Sequence, residues 1–207
     1  CGFAYTEALD TRYKLIHHLS HTFVPLSHMN DIIGPITNPI DPREHTHKII
    51  GVNDLIHPDL LAKAYSILNR ESVTHLTRGI FLRGYGDDLN TGMDELSLCA
   101  GGNDVTIFEN GDFYSVRIDA SSFGLQPTLC SSITVPEGLT KGSFSTSILD
   151  KSSNNSDAIN MVLANTALVF HLVDPACTLK EAFSIAQNQY QSQDLVSFAG
   201  QIANIMR

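Results

Sequence analysis

Two adjacent carboxylates, Asp94 and Glu95, lie in a flexible and acidic stretch of this chain. Residues 84–103 hold five glycines, four carboxylates and no basic residue, between apolar runs at residues 79–82 and 105–108. Such a loop cannot be buried and needs a cation, a polar ligand or water. Where a strand meets a loop, neighbouring side chains can turn onto one ion. Because Mg²⁺ takes one or two protein carboxylates and completes its shell with water and phosphate oxygens, the pair is a candidate Mg²⁺ site; a solvated acidic loop is the alternative.

Histidines offer a second candidate metal site. The chain has nine of them, and His17 and His21 are four residues apart on a helix predicted over residues 6–21. That spacing can hold zinc, but no H-E-x-x-H motif accompanies it. The sequence therefore favours surface or packed histidines over a zinc site.

Composition and charge limit the classes of function that this chain can have. The 207 residues, 43% hydrophobic and 17% charged, are typical of an ordinary soluble globule and suffice for one large domain or two small ones with a hydrophobic core. The formal charge of −9 argues against nucleic-acid binding, whereas a phosphorylated small molecule can be held by a metal ion and backbone amides. The four cysteines are scattered without a C-x-x-C motif, which favours a reducing cytoplasm.

Neither a membrane span nor a signal peptide is expected, because no apolar segment has the length of a span and the first residues are ordinary amphipathic sequence. The chain starts with Cys1 rather than Met, so we expect a processed form or a piece of something longer.

The pattern of elements around the acidic loop predicts how it is positioned. Residues 48–52 suit a buried strand, residues 57–69 a helix, and residues 79–82 a second strand. The helix is expected to bury an apolar stripe and to be capped near Asn53 or Asp54; the stripe is Leu60, Leu61, Ala64, Ile67 and Leu68. Strand, helix and strand form a βαβ unit, so we predict an α/β fold with a mainly parallel sheet flanked by helices. Ligands bind beyond the carboxyl ends of such strands, where the acidic loop follows.

The second half of the chain adds three local predictions. Residues 105–108 and 113–118 form a hairpin around Asn110-Gly111. Residues 158–173 are apolar nearly all round, which predicts a buried central helix whose polar side chains, Asn160, Asn165 and His171, need partners inside. Thr178-x-x-Glu181 is a capping box that opens the next helix.

Four motifs occur in an order that matches a known family. They are G-P-I-T-N-P at residues 34–39, I-I-G-V at 49–52, G-M-D-E-L-S at 92–97 and D-A-S-S-F-G-L at 119–125. Their order and spacing resemble those of the anthranilate phosphoribosyltransferases, in glycosyltransferase family 3 of the nucleoside-phosphorylase-like group. The family patterns L-G-P-L-x-N-P and G-x-D-E-x-S correspond to residues 33–39 and 92–97. The resemblance covers most of the chain.

The resemblance implies a single α/β domain over residues 1–207, which would be the C-terminal part of a phosphoribosyltransferase fold without its N-terminal α domain. It implies transfer of a phosphoribosyl group from phosphoribosyl pyrophosphate (PRPP) to the amine of anthranilate, in tryptophan biosynthesis, with Asp94 and Glu95 as Mg²⁺ ligands. Gly34 and Pro35 would line the channel of the aromatic acceptor. His21 stands where the family has an arginine that grips the anthranilate carboxylate; an Arg is a permanent bidentate fork and a His is not.

The sequence also departs from the family pattern. The T-G-G-D and K-H-G-N motifs that bind PRPP in the family do not occur in these 207 residues. We therefore expect the chain alone to be inactive, and to form a homo-oligomer or associate with a missing N-terminal segment. Two alternatives stay open: a non-catalytic paralogue that binds a nucleotide-like ligand or a partner protein, and a purely structural α/β domain.

Overall fold

A computed structural model of the chain describes residues 44–52, 56–198 and 200. The predicted helix over residues 6–21 and its histidines lie outside the described residues. The same holds for three candidate site residues and for the predicted helix cap; these are His21, Gly34, Pro35, Asn53 and Asp54.

A five-stranded sheet forms the centre of the described part. Its strands lie in the order β1-β2-β4-β5, and the short β3 pairs with β2. The bounds are β1 Thr46–Gly51, β2 Leu76–Tyr85, β3 Gly92–Met93, β4 Asn103–Glu109 and β5 Asp112–Ile118. Only β1 and β2 are parallel, and the other three pairings are antiparallel. The α/β class is confirmed, but the sheet is mixed, so the prediction of a mainly parallel sheet is wrong in the described part.

The connections between the strands explain why the sheet contains both parallel and antiparallel pairs. Helix α1, Pro58–Arg70, crosses from β1 to β2, and such a crossover produces a parallel pair as predicted. Strands β4 and β5 are joined by the two-residue turn Asn110-Gly111, with φ angles of 52° and 100°. A turn this short can close only an antiparallel hairpin, so that predicted hairpin is confirmed. The single βαβ unit therefore makes one parallel pair, and the other strands of the sheet pair antiparallel.

Helices cover both faces of the sheet, giving three layers. Helix α1 packs on one face, where Phe81 and Phe108 are buried. The helices that follow β5 are α2 Lys141–Leu149, α3 Ser156–Val173 and α4 Leu179–Ser192. Helices α3 and α4 pack on the opposite face against the main core, which includes Ile80 and Leu82. The capping box of Thr178 and Glu181 opens α4, as predicted.

Helix α1 turns a different face inward from the one predicted. Its buried residues are Pro58, Leu61, Ala62 and Tyr65, whereas Leu60 and Ile67 are 51% and 52% exposed. Tyr65 decides the orientation, because its ring stacks on Phe81 at 5.5 Å between ring centroids. In the described part the helix is capped by His57, whose ring accepts a hydrogen bond from the Asp59 amide.

Helix α3 is buried on one face rather than all round. Its core face includes Ala164, Ala167 and Leu168, while Val162 and Val169 are 43% and 50% exposed, so the prediction of a fully buried helix is wrong. It is also the one helix among the described residues long and apolar enough to cross a membrane, contrary to the expectation that no segment is. Core helices of soluble proteins meet the same test of length and composition.

A buried arginine fixes the end of α3 to the sheet. Arg78 on β2 donates to the carbonyl oxygens of His171 and Leu172 at 2.9 and 3.3 Å. The His171 Nδ1–H donates to the Cys177 carbonyl at 2.7 Å, which leaves Nε2 to accept from Arg78 at 3.5 Å. A cation at a helix C-terminus is favourable because the terminal carbonyls carry partial negative charge. The predicted need of His171 for internal partners is confirmed.

Candidate functional site

The acidic pair lies at the carboxyl ends of the two parallel strands. Strand β3 ends at Met93 and pairs with Gly84 and Tyr85, the last residues of β2. Asp94 and Glu95 follow β3 at once, and both are exposed. This is the edge of the sheet where the sequence predicted a ligand.

Two glycines let the backbone of the pair rest on the strand ends. A Cβ atom on Gly51, the last residue of β1, would lie 1.5 Å from the Asp94 carbonyl oxygen. A Cβ on Gly84 would lie 2.2 Å from the Glu95 carbonyl oxygen. No side chain fits in either place, so both residues have to be glycine for the loop to approach this closely.

Two asparagine side chains hold the residues that follow the pair. Asn165 of α3 accepts from the Leu96 amide at 3.2 Å and donates to the Leu96 carbonyl at 3.0 Å. Asn103 of β4 accepts from the Ser97 amide at 2.6 Å and donates to the Ser97 carbonyl at 2.8 Å. Each amide thus pairs with a backbone residue as a neighbouring strand would.

Burial changes abruptly just after the pair. Leu96 and Leu98 are 0% and 2% exposed and belong to the main core, whereas Asp94 and Glu95 are exposed. The backbone is therefore fixed by β1, β2, β4 and α3, and the two carboxylates project from a rigid base.

The chemistry of the pair fits Mg²⁺ held together with a phosphorylated ligand. Among the described residues, neither Asp94 nor Glu95 forms an ion pair, and no cluster of three or more His, Cys, Asp or Glu could hold a metal alone. Two carboxylates are too few for a closed protein cage. They match Mg²⁺, which keeps several waters and is bound through one or two carboxylates plus substrate phosphates.

A cleft opens beside the pair. It has a volume of about 510 Å³ and is formed by Glu95 and one side of α3, with the lining residues Met161, Val162, Asn165, Thr166, Val169 and Phe170. Its wall is mainly apolar, with a carboxylate at one end. The cleft is open to solvent along this side of α3.

A third carboxylate at this edge, that of Asp104 on β4, is held through its side chain and not through its backbone. Arg83 and Arg117 donate to it at 3.2 and 2.9 Å, and the Tyr85 hydroxyl donates at 2.5 Å. Partial burial favours its neutral form, but the hydrogen bonds from Tyr85 and Arg83 outweigh that effect, and the pKa of Asp104 is lowered. Arg83, the cation next to the acidic loop in sequence, is thus engaged with Asp104.

The structure brings together only part of the predicted site. Asp94 and Glu95 are placed at one edge, while His21, Gly34 and Pro35 lie outside the described residues. Sequence reasoning missed the residues that position the pair, namely Gly51, Gly84, Asn103 and Asn165. For Asn165 there was a signal, because a polar side chain in an apolar helix needs a partner. Gly84 and Asn103 are the two ends of the acidic stretch itself, and Gly51 lies in the I-I-G-V motif, but no local pattern shows that these three residues position the pair.

Comparison with known proteins agrees with the family resemblance that the four sequence motifs indicated. The family model "Glycosyl transferase family, a/b domain" matches residues 22–193. The chain is 36% identical to an anthranilate phosphoribosyltransferase of Synechococcus sp. (strain CC9311) over 95 residues, which is 46% of this chain and 23% of that protein.

Solved structures show the same fold. One is the anthranilate phosphoribosyltransferase from Saccharomyces cerevisiae in complex with 4-fluoroanthranilate, and another is a variant of it with Mg bound. Both superpose with a TM-score of 0.55 at 19% identity over 73% of this chain, covering 40% and 41% of their own chains.

The chain spans less than half the length of these relatives. The family match, however, covers most of the chain. The expected resemblance is therefore confirmed, and the chain belongs to the glycosyl transferase family, a/b domain.

Proposed function

We propose that this chain is the metal-binding part of a phosphoribosyltransferase that transfers a phosphoribosyl group from PRPP to an aromatic amine, anthranilate, in tryptophan biosynthesis. One observation carries the proposal. Two exposed carboxylates, Asp94 and Glu95, stand on a fixed backbone at the carboxyl edge of the sheet, beside a cleft. The family membership supports it, and so do the anthranilate phosphoribosyltransferases among the similar proteins. As a biosynthetic enzyme, the protein would act in the cytoplasm.

In this proposal each residue has a defined task. Asp94 and Glu95 supply oxygen ligands to Mg²⁺ and so orient the pyrophosphate of PRPP. By the resemblance, Gly34 and Pro35 would line the path of the acceptor, and His21 would take the place of the residue that binds its carboxylate. When bound, Mg²⁺ would stabilise the charge that develops on the leaving pyrophosphate while the ribosyl carbon gains oxocarbenium character.

Calorimetry tests the metal role. With PRPP at concentrations in the millimolar range, Mg²⁺-dependent binding of PRPP should be lost when Asp94 and Glu95 are both replaced by Ala, with the far-UV circular dichroism unchanged. The matched control is Glu109→Ala with Asp112→Ala, which removes the same two charges from exposed positions at the opposite edge of the sheet. If the variant with both Asp94 and Glu95 replaced by Ala bound PRPP with the affinity of the wild type, the proposal would be refuted.

The 207-residue chain alone should show no turnover. Between Arg83 and Lys141 the only basic residue is Arg117, and both arginines are engaged with Asp104. The chain also lacks the T-G-G-D and K-H-G-N motifs. Losing a few charge-assisted hydrogen bonds of about 1.5–3 kcal/mol each would take a micromolar site to the millimolar range. The assay is the loss of anthranilate fluorescence with PRPP and Mg²⁺, and robust turnover would contradict this expectation.

The engagement of Arg83 and Arg117 favours one alternative, a non-catalytic paralogue that binds a nucleotide-like ligand or a partner protein. Such a protein would bind Mg²⁺ and PRPP through Asp94 and Glu95 without releasing pyrophosphate. A pyrophosphate-release assay on the intact protein therefore separates the two functions. Size-exclusion chromatography on the same sample tests the expected homo-oligomer.

A further inference from the structure

Helix α3 carries a side-chain amide that reaches into the loop of the acidic pair. Asn165 is half-buried, and its amide contacts Leu96, the residue directly after Glu95. We propose that Asn165 is a positioning residue, which sets the direction of the Glu95 carboxylate through the backbone. The inference rests on the proposed function of Asp94 and Glu95 as Mg²⁺ ligands.

The peptide between Glu95 and Leu96 is held from both sides. Its carbonyl oxygen packs so closely on Gly84 that a Cβ there would lie 2.2 Å away. Its N–H donates to Oδ1 of Asn165 at 3.2 Å. Because a peptide unit is planar, fixing both its ends fixes its orientation. That orientation in turn restricts the backbone of Glu95 and the direction in which its side chain leaves.

The Asn165 amide has no freedom to turn away. Its Nδ2 donates to the Leu96 carbonyl and to the Met161 carbonyl, at 3.0 Å in each case. The Met161 carbonyl is one turn back on α3, so this bond orients the amide from within its own helix. A rotation would leave donors and an acceptor unsatisfied in a half-buried place, which is unfavourable.

Asn165 does more than attach the loop to the core. The loop stays anchored without it, because the Leu96 side chain is fully buried and Asn103 holds Ser97. Among the described residues, Asn165 provides the side-chain hydrogen bond to the peptide that follows Glu95. It also lines the cleft together with Glu95, so α3 both contacts the peptide after this residue and forms a wall of the cleft.

The test measures Mn²⁺ binding in the presence of PRPP by electron paramagnetic resonance, well below the melting temperature of each variant. Asn165→Ala removes the contacts to Leu96, and Asn165→Gln keeps the amide but displaces it by one methylene group. Both should weaken Mn²⁺ binding about tenfold, as loss of a residue that orients a metal ligand does. The matched control is Thr166→Ala, because this exposed hydroxyl lines the same cleft, and its one hydrogen bond among the described residues goes to the Val162 carbonyl in its own helix.

Each outcome decides the inference. Weaker binding in both Asn165 variants with an unchanged Thr166 variant supports it. A lower melting temperature with wild-type Mn²⁺ affinity means that Asn165 is only structural and overturns the inference, while the proposed function stands. If Mn²⁺ binding survives Asp94→Ala with Glu95→Ala, the proposed function fails and the inference with it. The Gln variant keeps the test valid if Asn165→Ala does not fold.

Discussion

Two groups of carboxylates at one edge of the sheet are fixed by opposite means. Asp104 is fixed through its side chain, which receives hydrogen bonds from Arg83, Arg117 and Tyr85. Asp94 and Glu95 are fixed through their backbone, and among the described residues no cation pairs with their side chains.

This difference separates a structural carboxylate from carboxylates that are available to a ligand. The donors around Asp104 occupy both of its oxygens, so it has little capacity left for a cation. Asp94 and Glu95 are exposed, and the backbone that carries them is held by the contacts of Gly51, Gly84 and Asn165. Such preorganisation is what a binding site needs, since ordering groups on binding would reduce the affinity.

The largest expected effect comes from the backbone on which the pair rests. Gly51→Ala would place a methyl group 1.5 Å from the Asp94 carbonyl oxygen, a backbone atom that cannot turn aside. Overpacking of this kind should lower the free energy of unfolding by about 3 kcal/mol. Urea denaturation of the purified variant measures the loss.

Gly142→Ala in helix α2 is the matched control. Its Cβ would have only the Thr140 hydroxyl nearby, at 3.9 Å. Because Ala is the better helix former, this change should leave the free energy of unfolding equal or raise it by up to about 1 kcal/mol. Equal effects of the two substitutions would show that the loop does not rest on β1.

The second effect concerns the side chain of Asp104. Asp104→Asn keeps the shape but removes the charge, and it leaves the Arg83 guanidinium, 15% exposed, facing a neutral group. We expect the free energy of unfolding to fall by about 2 kcal/mol, less than for a fully buried pair because Asp104 is 30% exposed. Mg²⁺ binding should be unaffected, in contrast to replacement of Asp94 and Glu95.

The pH dependence of this second effect follows from the pKa of Asp104, which is lowered in the folded state. A lowered pKa gives stability that is fully present above the unfolded pKa of about 3.9 and is lost as the pH falls toward the folded value. The gap between wild type and Asp104→Asn should therefore be constant from pH 7 to about pH 5 and narrow below about pH 4. A gap that widens on acidification would contradict the assignment.

The comparison also shows how far the sequence could predict this site. The position of Asp94 and Glu95 followed from a single βαβ unit and the composition of the loop after it, both local in the chain. The contact of Asn165 with Leu96 joins residues 69 positions apart, and no local pattern specifies it. Asp104 likewise meets Arg83 only because β4 pairs with β2 in one register.

The face of α1 could not be predicted for the same reason. The periodicity of its sequence allows two neighbouring stripes, one through Leu60 and Ile67 and one through Leu61 and Tyr65. The choice depends on Phe81, which offers a ring for Tyr65 to stack on. Local periodicity thus predicted the helix, while a tertiary partner selected the face that is buried.

The smallest expected change in the free energy of unfolding is that for neutral replacements of Asp94 and Glu95, in contrast to Asp104. Asp94→Asn with Glu95→Gln should change the free energy of unfolding by less than about 0.5 kcal/mol, because both side chains are exposed. The sign should be slightly stabilising, since two adjacent negative charges are removed from a chain with a net charge of −9. Added Mg²⁺ and PRPP should then raise the unfolding midpoint of the wild type but not of the variant, because a ligand that binds only the folded state stabilises it. A marked destabilisation without ligand would mean that the pair is structural, as Asp104 is, and would remove the distinction between the two groups.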